Sequence, residues 1–112
     1  MTGTAAPRPC PIEKTMQIIG GKWTFLILRN MFNGDTRFNE IQHDLSGISP
    51  RMLSQRLQHL MSNGIVERHV VPSTPPRVEY LLTTKGKELL PVFQAMTRWG
   101  NTWAIMEDDV TP

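Results

Sequence analysis

Apolar residues recur at helical spacing through the first sixty-odd residues and predict four helices. The first begins at Pro11 and stops at the glycine pair 20–21, and the second covers residues 22–31 before an Asn-Gly-Asp turn. A short extended piece at 36–38 precedes the third, over 38–45, and the fourth runs from residue 50 to Gly64. The residues expected to face inward are Ile12, Met16 and Ile19, then Trp23, Leu26, Ile27 and Met31, then Phe38, Ile41 and Leu45, and finally Leu53, Leu57, Leu60 and Met61.

The fourth helix has the clearest start signals and an unusual polar face. Ser49 can cap its N-terminus, and Pro50 falls at the first helical position, where its missing N–H matters least. The face opposite its apolar stripe contains no carboxylate, which suits a polyanion with hydrogen-bonding edges, such as the DNA major groove. An ordinary solvated helix face is the alternative explanation. The residues of this face are Arg51, Gln55, Gln58 and Ser62, flanked by Ser54, Arg56 and His59.

The sequence changes from helical to alternating periodicity after Gly64. Two β-branched runs, residues 65–71 and 77–82, enclose a proline-rich loop at 72–76, which predicts a stiff β-hairpin. The third and fourth helices, joined by Ser-Gly-Ile at 46–48, fit a helix-turn-helix. A hairpin directly after such a pair is typical of a wing, whose tip can contact the phosphate backbone.

The last predicted helix, over residues 89–103, is apolar on more than one stripe. One side can cover the domain, and the other would be bare on a monomer, so we expect it to pack against a second subunit. Pro91 should either kink this helix or mark its regular start. Residues 1–9 are expected to form a flexible arm and 107–112 a frayed acidic tail. The dimerisation candidates are Ile12, Met16, Phe93, Met96, Trp99 and Trp103.

The chain has 112 residues and a net charge of +2, which fits a single domain. Three of its ten acidic residues lie in the acidic tail, so residues 1–106 combine twelve basic with seven acidic side chains and favour an anionic partner. A single cysteine excludes an internal disulfide and predicts the reducing cytoplasm. No apolar run approaches the length of a membrane span, so we expect no membrane association.

Enzymatic function is not expected, and neither a metal nor a cofactor is predicted. The three histidines are scattered over separate elements, and the sequence has no metal-ligand spacing, glycine-rich phosphate loop or nucleophile elbow. Two alternatives to a plain DNA-binding regulator stay open. One is a winged helix used only for protein contacts, and the other is a regulator switched by an unknown small effector held between the last helix and the wing.

Helix geometry assigns roles to individual side chains of the predicted DNA-binding surface. Arg51 and Gln55 lie near the start of the fourth helix and are candidates for contacts with guanine and adenine edges. The remaining candidates are expected to contact phosphates and fix the register on the duplex. They are Arg37, Ser49, Ser54, Arg56, Gln58 and Arg77.

Several motifs in order resemble the HxlR-type winged-helix transcription regulators, relatives of the MarR group. The resemblance covers about residues 10–103, within a domain predicted to span 10–106. It implies an α+β, mainly α fold, a winged helix-turn-helix domain with extra N- and C-terminal helices that form a homodimer. It also implies a bacterial double-stranded-DNA-binding repressor or activator that reads a near-palindromic operator. The motifs are Cys10–Ile12, Ile19–Trp23, Arg37–Ile41, Ile48–Leu57, Asn63–Arg68, Pro76–Thr83, Lys85–Lys87 and Trp99.

Cys10 is the one candidate sensor. It stands at the predicted N-cap of the first helix, where backbone N–H groups and the helix dipole favour a thiolate. The resemblance implies a redox or electrophile response, because several members of this family use a cysteine at this place as a sensor. A half-buried cysteine without sensing function is the alternative.

Overall fold

The structure is a computed structural model and describes residues 9–105. Its order is helix, helix, helix, helix, strand, strand, helix, helix, so an α+β, mainly α winged-helix fold is confirmed. Residues 1–8 of the predicted arm and the whole acidic tail, residues 107–112, lie outside the described residues. The elements are α1 (Pro11–Ile19), α2 (Lys22–Phe32), α3 (Phe38–Asp44), α4 (Pro50–Ser62), β1 (Val66–Val71), β2 (Arg77–Leu82), α5 (Thr84–Lys87) and α6 (Leu90–Trp99), which continues into a π-helical turn, Gly100–Ala104.

The two N-terminal helices are separated by the predicted glycine pair. The Gly20 N–H donates to the Met16 carbonyl oxygen at 2.8 Å and closes α1, and Gly21 then adopts a φ of 93°. That φ is accessible to glycine and strained for residues with a Cβ atom. The chain therefore turns sharply here and enters α2 within two residues.

The hydrophobic core lies between α2, α3 and α4. The helix α2 has more buried residues than any other element, as predicted, because it also buries the polar residues Thr24 and Asn30. Burial of the apolar side chains away from water is the main favourable contribution to folding. The buried apolar residues are Ile19, Ile27, Leu28, Met31, Ile41, Leu45, Ile48, Leu53, Leu57, Leu60, Ile65 and Val66.

The wing is an antiparallel hairpin whose register pairs Val66 with Leu82 and Val71 with Arg77. The predicted strand bounds are confirmed except that β1 begins one residue later than expected. The predicted extended piece before α3 is not a strand, but its Thr36 carbonyl accepts a hydrogen bond from the Tyr80 N–H at 2.7 Å. That bond joins the start of the helix-turn-helix to the wing.

The C-terminal helix begins regularly rather than with a kink. Pro91 is the second residue of α6, where its missing N–H leaves no helical bond unmade. None of the α6 side chains is fully buried.

The prediction that Ile12 and Met16 form a buried side of α1 is wrong for the single chain, because they are 74% and 50% exposed. In residues 9–105, no helix is both long enough and apolar enough to cross a membrane.

A carboxyl pair at the turn between α2 and α3 makes stability depend on pH. One carboxyl oxygen of Asp35 is buried and has no hydrogen-bond partner in the described part of the chain. Burial raises the pKa of Asp35 to about 6 from 3.8, and the neighbouring Asp44 adds to the shift. The folded protein therefore holds this proton more tightly than the unfolded chain does, so this contribution to stability is lost as pH rises between those two values.

Replacing Asp35 with asparagine is expected to remove that loss. Solvent screens the partly exposed carboxyl groups of Asp35 and Asp44, which reduces the effect. We therefore expect Asp35→Asn to raise the free energy of unfolding by only about 1 kcal/mol near neutral pH and not at all in acid. Urea denaturation at roughly pH 4 and pH 7 measures the difference between the variant and the parent chain. Glu88→Gln, at an exposed position, is the matched control. An equal pH dependence in Asp35→Asn and the parent chain would contradict this account.

Candidate nucleic-acid interface

The helix α4 is held by one face and leaves the other open. The Ser49 hydroxyl oxygen accepts a hydrogen bond from the Met52 N–H at 3.0 Å, which confirms the predicted N-cap. Leu53, Leu57 and Leu60 are buried against the core and fix the rotation of the helix about its axis. At the other end Gly64 has a φ of 72° and turns the chain away from the helix.

The open face of α4 carries neutral polar and cationic side chains and no anionic ones. No aspartate or glutamate occurs anywhere between Asp44 and Glu67, so the exposed surface of α4 lacks negative charge. Its donors and acceptors point into solvent beside a guanidinium group, which is a surface complementary to base edges and phosphates. The exposed predicted residues are Ser49, Arg51, Ser54, Gln55, Gln58 and Ser62.

Two residues on the flank of α4 do not lie on the open face. Arg56, which the sequence predicts at the flank, is half-buried, and its Nε has no hydrogen-bond partner in the described part of the chain. The Nε2 of His59 donates to the carbonyl oxygens of Ile18 at 2.9 Å and Gln17 at 3.1 Å. Because these carbonyls lie in the last turn of α1, His59 fastens α4 to α1. Sequence reasoning missed this structural role.

Arg37, at the start of α3, lies near Arg77 of the wing. One carboxylate oxygen of Glu40 accepts the backbone N–H groups of Thr36 and Arg37, each at 3.0 Å, and these bonds lower the pKa of Glu40. Arg37 itself is exposed, and together with Arg77 it lines a cleft of about 380 Å³ between α3 and the wing. Two predicted phosphate-contacting residues, forty positions apart in sequence, therefore lie at one cleft.

The tip of the wing is exposed along its whole length, residues 72–76. The Ser73 hydroxyl donates to the Pro75 carbonyl oxygen at 2.6 Å and braces the turn. Arg77 lies 4.0 Å from the Glu79 carboxylate, and its side chain is still 45% exposed. An ion pair at that distance on the surface is weak, so the guanidinium is available to a phosphate.

A continuous apolar surface lies on α1 and α6. A groove of about 510 Å³ runs between these helices, lined by Ile12, Met16 and Met96 among others. Beyond it, Trp99 is 63% and Trp103 71% exposed. Exposed apolar surface of this extent typically marks an interaction site. Val92 also lines this groove, although the sequence predicted no interface role for it.

Phe93 differs from the other predicted dimerisation residues because it packs on its own chain. Its ring centroid lies 5.5 Å from that of Phe25 and 5.3 Å from that of Phe32, both in α2. These tilted aromatic contacts attach α6 to the domain. Phe93 is thus half-buried within its own chain, and a role for it between subunits stays a prediction.

Cys10 stands at the N-cap of α1, as predicted, and is half-buried. Its carbonyl oxygen accepts the Lys14 N–H at 2.9 Å, but its side chain makes no capping hydrogen bond. The next residue, Pro11, lines the apolar groove between α1 and α6.

In residues 9–105, no group of three or more His, Cys, Asp and Glu side chains could hold a metal ion.

Comparison with known proteins identifies relatives over most of the chain. The HTH-type transcriptional regulator YvaP of Bacillus subtilis (strain 168) is 43% identical over 95 residues, covering 84% of this chain and 88% of YvaP. The HTH-type transcriptional regulator YodB of the same strain is 41% identical over 102 residues, covering 90% of this chain and 91% of YodB. These relatives are regulators of transcription rather than enzymes.

Solved structures give the same result for the fold. The redox regulator HypR in its oxidised form has a TM-score of 0.78 and 40% identity, covering 87% of this chain and 100% of HypR. The reduced form of YodB from B. subtilis has a TM-score of 0.76 and 41% identity, covering 87% of this chain and 96% of YodB. A family model described as HxlR-like helix-turn-helix matches residues 18–108. The chain therefore belongs to the HxlR-like helix-turn-helix family of transcriptional regulators.

Proposed function

We infer that this regulator binds operator DNA in a sequence-specific manner, as a homodimer on a near-palindromic site. The observation that supports this inference most strongly is the open face of α4, which combines Arg51 with amides and hydroxyls and contains no carboxylate. Helix surfaces that contact only solvent usually carry both acidic and basic side chains, so the absence of carboxylates favours an anionic partner. The reducing cytoplasm, where bacterial DNA is found, is the proposed location.

In the proposed dimer, the apolar surface of α1 and α6 packs against its own copy. A two-fold axis through that surface would place the two α4 helices in successive major grooves, about 34 Å apart. Such an arrangement would cover Ile12, Met16, Met96, Trp99 and Trp103, which the single chain leaves in water at a cost in free energy. The near-palindrome follows from the symmetry of the pair.

Within each half-site, we propose a division between base and phosphate contacts. Arg51 and Gln55 lie near the N-terminus of α4, the end that usually enters the groove, and would read guanine and adenine. The other polar residues would hold the duplex in register through its phosphates. They are the N-cap residue Ser49, then Ser54, Arg56 and Gln58 in α4, with Arg37 and Arg77 at the cleft between α3 and the wing.

Selection of bound fragments from a random DNA library tests the proposal directly. We expect enrichment of a near-palindromic sequence. We also expect the binding constant to fall steeply with salt, by about 0.9 logarithmic units per phosphate contact for each tenfold increase in salt concentration. A scrambled fragment of equal length is the control for specific binding. Absence of any DNA binding at low ionic strength would overturn the proposal and favour a winged helix used for protein contacts alone.

A redox response through Cys10 is a second proposal, supported by the likeness to the redox regulator HypR and by the partly accessible thiol. Because the chain has one cysteine, a disulfide could join only Cys10 of two copies, or Cys10 and a small thiol. Diamide would accept the two electrons and two protons that such a pair of thiols loses.

Treatment with diamide is expected to change operator affinity at least several-fold in the parent chain and not in Cys10→Ser. Binding titrations before and after treatment measure the change, and a reductant should reverse it. Mass spectrometry verifies that Cys10 was modified. An unchanged affinity after complete modification would exclude Cys10 as a sensor.

A further inference from the structure

A second cavity lies between α2 and α6, away from the apolar groove described above. Its volume is about 480 Å³, within the range of pockets that hold small molecules. The Phe32 and Phe93 rings, 5.3 Å apart, form one apolar part of its lining, and Leu90 adds another. Arg29 and Arg98 contribute the charged part of the lining. The cavity thus combines aromatic surface with two cations.

Hydrogen bonds within α2 orient the guanidinium group of Arg29. Its Nε and Nη2 both donate to the Oδ1 of the buried Asn30, at 3.0 and 2.9 Å. A guanidinium group has further N–H donors on the edge formed by Nη1 and Nη2, and these remain available. That edge matches the two oxygens of a carboxylate, and its orientation is already restricted before a ligand arrives.

Arg98 supplies the second cation from α6. It lies one turn after Gln94, another residue of the lining, and both side chains are exposed. Within residues 9–105, the ion pairs involve His69 and Arg77, and neither Arg29 nor Arg98 has an acidic partner there. Two guanidinium groups at one cavity repel each other, so an anion between them would be stabilised.

The cavity and the apolar surface occupy different sides of α6. At about 100° per residue, the positions 90, 94, 97 and 98 of α6 form a stripe nearly opposite to the positions 92, 96 and 99. Phe93 lies between the two stripes and packs on α2. A second copy seated on the apolar stripe would therefore leave the cavity open to solvent and to small molecules.

We propose that this cavity is a binding site for an amphipathic carboxylate, an organic acid with an apolar body. The apolar body lies against Phe32, Phe93 and Leu90, and the carboxylate accepts hydrogen bonds from Arg29 and Arg98. Because the ligand touches both α2 and α6, it fixes the angle between the DNA-binding domain and the C-terminal helix. The site is thus an effector site, a consequence that rests on the proposed DNA-binding function.

Calorimetric titration of the full chain with naphthalene-1-carboxylate tests the site without DNA. We expect saturable binding of this probe and at least tenfold weaker binding of the neutral naphthalene-1-carboxamide, which cannot form the charge-assisted hydrogen bonds. Equal binding of the two compounds, or no saturable binding of the carboxylate, would overturn the proposal.

Variants locate the bound probe. Arg29→Ala and Arg98→Ala should each weaken carboxylate binding roughly tenfold, and Gln94→Trp should block the cavity while retaining both cations. Lys14→Ala, which removes one exposed cation from α1, is the charge-matched control and should bind as the parent chain does. Parent-like binding in all three cavity variants would place the probe elsewhere and refute the assignment.

The effector role is tested separately on an enriched DNA fragment. Saturating carboxylate should change DNA affinity several-fold in the parent chain and in Lys14→Ala, but not in Gln94→Trp. Binding of the probe with unchanged DNA affinity would refute the effector role and leave the binding site standing. If the chain bound no DNA, the proposed function would fail, and the calorimetric result would still decide whether the site exists.

Discussion

Replacing Trp99 with glutamate is expected to separate the proposed dimer and weaken operator binding at least 100-fold. Trp99 is 63% exposed in the single chain and lies beside Trp103 on the surface shared by α1 and α6. In a two-fold interface each substitution occurs twice, so two indole rings are lost and two carboxylates are forced against an apolar surface. Both effects act directly on the dimerisation constant.

Sedimentation at several concentrations measures association, and titration of an enriched operator measures affinity. Asn101→Glu is the control, because Asn101 is exposed and only two residues from Trp99 but does not belong to the apolar stripe. It should stay dimeric and bind DNA within a few-fold of the parent chain. A Trp99→Glu chain that remains dimeric would show that the two copies meet at another surface.

Arg51→Ala is expected to lose roughly 1 to 3 kcal/mol of operator binding and to relax the choice of base at one position in each half-site. Arg51 is the second residue of α4 and is exposed, with no acidic side chain on the helix to pair with it. An arginine at this end of the helix can reach guanine with two hydrogen bonds. The loss should therefore be large on the operator and small on random DNA.

Arg77→Ala provides the contrasting case. Arg77 lies where the wing begins its second strand, at the cleft it shares with Arg37, so we expect a contact with phosphate rather than with a base. Its removal should weaken all sequences alike and reduce the slope of the salt dependence by about one. If Arg51→Ala weakened specific and random DNA equally, the assignment of Arg51 to base contact would be wrong.

Local signals in the sequence predicted the secondary structure well. The start of α4 depends on a serine cap and a proline at its first position, and both effects act within four residues. The wing likewise follows from two β-branched runs and a proline-rich loop, and its bounds were predicted to within one residue. Such features need no knowledge of the tertiary structure.

Contacts between distant segments could not be predicted in the same way. The periodicity of α1 identified Ile12 and Met16 as apolar, but periodicity does not say whether an apolar face meets the same chain or another one. The bond from His59 to α1 joins residues about forty positions apart, and the proximity of Asp35 to Asp44 depends on how α3 packs. These features follow from tertiary packing.

The hydrogen bonds of His59 have a mechanical consequence for regulation. They join the last turn of α1, which adjoins the proposed contact between copies, to the helix proposed to enter the major groove. That attachment couples the orientations of the two helices, so in the proposed dimer a small rotation between protomers would alter the spacing of the paired α4 helices. Because half-sites on DNA have fixed helical phase, such a rotation alone can release the operator without unfolding any part of the protein.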